Sequence, residues 1–219
     1  STSRRQRQMC IRDRLRGVKL GKLGIKTAVF GLAVNFALFL LKLYISISSN
    51  SLSIYCDAVN NLADTLSCII ALAGFIVILK LNERKSQRVQ ALATFVIGIA
   101  LTAVGLSFAY NGAERLMYPV AVSYSKKYAL LVIVTILVKI LMGIIYILIN
   151  RKQSSPVFKT LILDSFLDSA VTFTALLGFS LTTKINYAVD GVVAVVIGLV
   201  VAVSAIKTVI NQAKFLVRQ

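Results

Sequence analysis

The sequence predicts an all-α membrane protein, a bundle of six transmembrane helices with both termini in the cytoplasm. Three observations carry this: a hydrophobic share of 58% with a mean hydropathy of +0.82, six apolar stretches long enough to span a bilayer, and basic residues gathered between them. A soluble domain carries roughly a quarter charged residues; here the charged share is 15%. So large an apolar excess has to meet lipid.

The stretches run from Ile25 to Ile47, Leu52 to Leu79, Leu92 to Tyr110, Tyr128 to Ile149, Phe158 to Leu181 and Tyr187 to Ile210. Each lies near the roughly 20 residues that a helix needs to cross a hydrocarbon core. The connections are short, the first being the uncharged SISSNS and the last TTKIN, so neighbouring helices should run antiparallel and pack as one bundle. Residues 25–210 therefore make one domain, with a basic tail (1–24) before it and a short stub (211–219) after it.

A formal net charge of +17 at first suggests a phosphate-rich partner. The positions argue against nucleic acid and for the lipid bilayer. With six spans, the N-terminus, the second and fourth loops and the C-terminus share a side. That side holds nineteen of the twenty-five basic residues, nine of them at or before the start of the first span. The opposite side holds Arg115, Lys126, Lys127 and Lys184. The positive-inside rule then puts both termini in the cytoplasm, as in a multi-pass protein of the cell membrane. The segment SRRQRQMCIRDR within the first fifteen or so residues resembles translated sequencing-adapter read-through, so no function is assigned to it. Without its five arginines the count is still fourteen against four.

Cys56 and Cys68 lie twelve apart in one apolar segment and cannot pair along a straight helix. With Cys10 they show no zinc-type spacing and read as small apolar residues. The small-residue series Ala194, Gly198 and Ala202 reads as a close helix contact. Lys42 and Lys139 fall inside spans, where snorkelling toward the interface is favoured over pairing with an acid.

The acids carry the chemistry. Of eight in the chain, Asp57, Asp64, Asp164, Asp168 and Asp190 lie in or at the edges of apolar spans. An ionised carboxylate at a helix centre costs about 2.5–3.5 kcal/mol on insertion scales, so something must offset it. In YCDAVNNLAD, the residues Asp57, Asn60 and Asp64 share one helical face; in LILDSFLDS, Asp164 and Asp168 do the same. Asn60 with Asp64 and Asp164 with Asp168 are thus two i,i+4 pairs of oxygen donors. Facing each other, they would form a four-ligand pocket inside a bundle. Asp57 is an accessory candidate, with site and structural roles weighed equally. Asp190, opening the sixth span, reads as a helix N-cap.

Three carboxylates packed together cannot all stay ionised without a counter-charge. A divalent cation supplies it, or protons do, and that competition is the minimal chemistry of a metal/proton antiporter. No prosthetic group is expected, only a transported divalent cation.

At these residues the chain resembles the cation diffusion facilitator family. GLAVNFALFLLKLYISISSNSLSIYCDAVNNLAD is similar to its first two spans, NGAERLMYP to the close of the third, LILDSFLDSAVTFTALLGF to the fifth, and NYAVDGVVAVVIG to the start of the sixth. The resemblance implies a homodimer that exports divalent metal from the cytoplasm by alternating access. Zinc-transporting members usually have His-xxx-Asp pairs, whereas this chain has no histidine. Asn60-xxx-Asp64 and Asp164-xxx-Asp168 resemble the manganese-transporting branch. Oxygen-only ligands suit harder ions such as Mn²⁺, with Fe²⁺ and Zn²⁺ as alternatives. The family usually continues past the sixth span into a cytoplasmic metal-binding domain, for which 211–219 is the stub. Two rival readings stand beside this one. An intramembrane aspartyl protease needs Gly-x-Gly-Asp and Tyr-Asp segments that this sequence lacks, and a cation channel would dispense with proton coupling.

Overall fold

The computed structural model describes the backbone of residues 2–78, 83–153, 156–182 and 188–217. Within these, side chains are described for 25–70, 72–73, 88, 91–151, 161–182 and 188–217. Every described regular element is a helix: α1 (Thr2–Ser49), α2 (Leu52–Ile78), α3 (Glu83–Met117), α4 (Lys126–Gln153), α5 (Pro156–Leu181) and α6 (Ala188–Val217). The helices outrun the apolar stretches, because polar flanks rich in Arg, Lys, Gln and Leu are good helix formers too. α1 in particular runs back through the basic tail to Thr2. Pro156 opens α5, where its missing N–H costs nothing. The TTKIN connection and Lys184 fall largely outside the described residues.

Among the described residues, five helices are long and apolar enough to cross a membrane: Ile25–Ser49 within α1, Ala91–Met117 within α3, Lys126–Arg151 within α4, Leu161–Leu181 within α5, and α6. α2, the sixth expected span, has 27 residues and would reach roughly 40 Å at 1.5 Å per residue; the side chains of 71 and 74–78 in its second half are not among those described. Large apolar side chains such as Leu92, Leu137, Leu163 and Val203 stand on the outside of the bundle, a surface that suits lipid rather than water.

The turn between α1 and α2 is built from local chemistry. Asn50 takes the left-handed conformation, φ 57°, and the Ser51 amide returns to the Ser46 carbonyl at 3.2 Å, a Schellman closure. Ser51 Oγ then accepts the Ile54 amide at 3.4 Å as the N-cap of α2. The segment after α3 packs on this turn. The Ser123 amide donates to the Ser49 carbonyl at 2.8 Å, and Asn50 Nδ2 to the Ala121 carbonyl at 3.3 Å. Beneath it, Ile45, Ile54, Val122, Val132 and Phe179 form a closed apolar plug.

α3 and α6 touch backbone to backbone. A Cβ on Gly105 would lie 2.7 Å from the Ala202 nitrogen, and one on Gly198 2.7 Å from the Ala109 nitrogen. The small-residue series at Ala194, Gly198 and Ala202 thus marks the close contact its spacing suggests, and its partner is the Gly98, Gly105, Gly112 series on α3. α2 and α5 sit centrally, each touching the other and α6.

Candidate metal centre

The two acid pairs meet. One carboxylate oxygen each from Asp64 on α2 and from Asp164 and Asp168 on α5 all lie within 4.8 Å of one another. Asn60 joins them, its Nδ2 donating to Asp168 Oδ1 at 2.8 Å, which leaves the amide oxygen outside that bond. The i,i+4 spacing is what stacks each pair on one face, and the α2–α5 contact turns the two faces together. Three oxygens spread evenly around one ion at about 2.0–2.2 Å are no more than about 3.8 Å apart, so closing on a cation draws each inward by at most roughly 0.6–0.8 Å.

The cluster borders a cavity of about 280 Å³. Its walls come from α2, α3, α5 and α6, including Ser67, Thr94, Gly98, Ser204 and Thr208 beside the carboxylates. Asp64 lies twelve residues below the start of α2, roughly 18 Å from the turn end. Thr94 and Thr208 lie deeper, roughly 30–35 Å from the Met117 end of α3 and the Ala188 end of α6. The cavity therefore extends toward the end of the bundle where α3 begins and α6 finishes. Asp164 is exposed and Asp168 buried, so the cluster has one face on the open space and one in the protein.

Behind it stands Lys139 of α4, 1% exposed. Its Nζ lies 3.0 Å from Asp64 Oδ2 and 2.5 Å from Asp168 Oδ2. Lys42 is equally enclosed, its Nζ 2.8 Å from Asp57 Oδ2 and 2.7 Å from Thr172 Oγ1. Both lysines thus overturn the snorkelling expectation. Lys139 is thirteen residues from the start of α4 and fourteen from its end, roughly 20 Å from either, too deep for its side chain to reach an interface. That depth was the available signal.

Asp57 is not brought into the cluster. It is engaged by Lys42 and by Thr172, whose Oγ1 lies 3.1 Å from Asp57 Oδ1. Asp190 does act as a cap, but for α2 rather than for α6. Its carboxylate accepts the Leu52 amide at 2.7 Å, the Ser53 amide at 3.3 Å and the hydroxyls of Ser51 and Ser53. Arg115 of α3 completes it, with Nη1 3.0 Å from Asp190 Oδ2 and 2.7 Å from the Asn50 carbonyl. This network ties α2, α3 and α6 together at the turn end, opposite the cavity. Cys56 and Cys68 are free thiols, Cys56 packed against Phe108, Ala175 and Ala194.

A helical bundle with apolar flanks is a multi-pass membrane protein, and this one gathers three carboxylates, a group that could hold a metal ion, beside a cavity. The chain belongs to the cation efflux family: residues 28–217 match its transmembrane domain. Proteins of that family are transporters of divalent metal cations rather than enzymes, and this chain is one of them by membership. No curated protein matches the chain.

Proposed function

We propose that this protein exports Mn²⁺ in exchange for protons by alternating access, binding the metal through Asn60, Asp64, Asp164 and Asp168. The reading rests on one observation above all, the convergence of three carboxylates from α2 and α5 on a cavity in mid-bundle. A carboxylate and carboxamide donor set favours a hard ion such as Mn²⁺, with Fe²⁺ or Zn²⁺ as lesser substrates. All six helices, α2 included, span the membrane in this reading. Residues 25–210 form the transport domain, both termini face the cytoplasm of a cell-membrane protein, and two chains pair as a homodimer.

With that orientation the cavity loads from the cytoplasm while the Asp190–Arg115 network seals the far side. Rocking the bundle must break that network and open the turn end. Protons arriving from outside then displace the metal, because the same oxygens cannot hold both. Each state must grip the ion differently, since equal affinity drives no transition.

Proteoliposomes with a pH gradient test this. Mn²⁺ uptake with counter-movement of protons is expected in the wild type, and Asp168→Ala should abolish both; uptake that survives it removes Asp168 from the site. In the same assay Asn60→His should raise Zn²⁺ in the metal ranking, since imidazole suits zinc. An unchanged ranking takes Asn60 off the ligand set.

A further inference from the structure

We propose that Lys139 is a tethered counter-cation: its ammonium occupies the place of the divalent ion between Asp64 and Asp168 while the carrier is empty, and yields it when the ion binds. The inference rests on the metal-site reading above and deepens it.

An ordinary buried ion pair matches one cation to one anion. Here one ammonium from α4 reaches the facing oxygens of two acids on two other helices, with a third carboxylate, Asp164, in the same cluster. With all three ionised, two negative charges are left over, the complement of one divalent ion. An ion held between Asp64 Oδ2 and Asp168 Oδ2 would lie so near Nζ that the two positive charges repel strongly at this depth. The ammonium has to withdraw from at least one oxygen.

Lys139 also acts as a charge filter. A monovalent ion entering the cluster would replace one positive charge by another and forfeit the ammonium's two hydrogen bonds to Asp64 and Asp168. A divalent ion brings a second charge to the same oxygens and so displaces the amine at a gain. Lys139 is placed for this, buried behind the carboxylates and not among the cavity-lining residues. Metal enters from one side and the amine stands on the other.

Calorimetric titration of the purified full chain with MnCl₂, at several NaCl concentrations, tests the assignment. Lys139→Gln should bind Mn²⁺ about tenfold tighter or more, because the competing charge is gone, and Na⁺ should now weaken that binding more than it does in the wild type. Lys139→Arg, which keeps the charge, should stay near the wild-type affinity. A lysine with only a structural role predicts the opposite sign, weaker binding in Lys139→Gln. Unchanged or weaker affinity there, with Asp168→Ala abolishing binding, overturns the counter-cation and leaves the metal site standing. No Mn²⁺ binding by the wild type itself overturns the metal site, and this proposal with it. If Lys139→Gln folds poorly without metal, purification in Mn²⁺ should restore a monodisperse protein, since the ion substitutes for the amine; failure to rescue counts against the proposal.

Discussion

Lys42 and Lys139 are buried equally and ion-paired at similar distances, yet their surroundings differ in arithmetic. Lys42 meets a single carboxylate, Asp57, with Thr172 Oγ1 beside both. That region is balanced, closed and capped by the apolar plug at the turn end. Lys139 meets two carboxylates with a third nearby, and its cluster borders open space. A balanced pair holds helices in register, whereas an unbalanced one leaves room for a second cation. Charge surplus beside a cavity, rather than burial of charge as such, separates a site from a strut.

That distinction can be broken by substitution. The largest effect is expected at Lys42→Met, which strands Asp57 without a cation and should cost about 3–5 kcal/mol of stability, read by thermal unfolding in detergent. The double substitution Lys42→Met with Asp57→Asn should recover most of it. Mn²⁺ affinity of whatever folds should stay unchanged; an altered affinity would make the two regions one site and return Asp57 to the ligand set. A smaller effect is expected at Arg115→Gln. Asp190 would lose its ion pair but keep its bonds from Ser51, Leu52 and Ser53, so about 1–3 kcal/mol is expected. If the network seals the far side, Arg115→Gln should also raise labelling of a cysteine placed near Asn50 by a membrane-impermeant thiol reagent added from outside. Labelling equal to the parent's would remove the gate from the mechanism.

Much of this was legible in the chain. Helix positions follow from runs of apolar residues, a local property, and Asn60, Asp64, Asp164 and Asp168 could be paired because four residues make about one helical turn. Snorkelling fails for the two lysines because a side chain's partner on another helix leaves no mark in its own periodicity. For the same reason the capping role of Asp190 is legible but the helix it caps is not: its carboxylate takes the first amides of α2.

The sequence by itself determined an apolar helical chain, the spacing of its carboxylates, and the lack of histidine within these 219 residues. These depend on composition and on the 3.6-residue period, which each segment carries alone. Only the tertiary structure decided which acids share a cavity, which one Lys42 neutralises, and that Lys139 stands behind the others. Those outcomes depend on how helices rotate and slide against one another, and here that is set by close approach at Gly105 and Gly198 and by the Asp190–Arg115 tie, contacts between segments more than seventy residues apart.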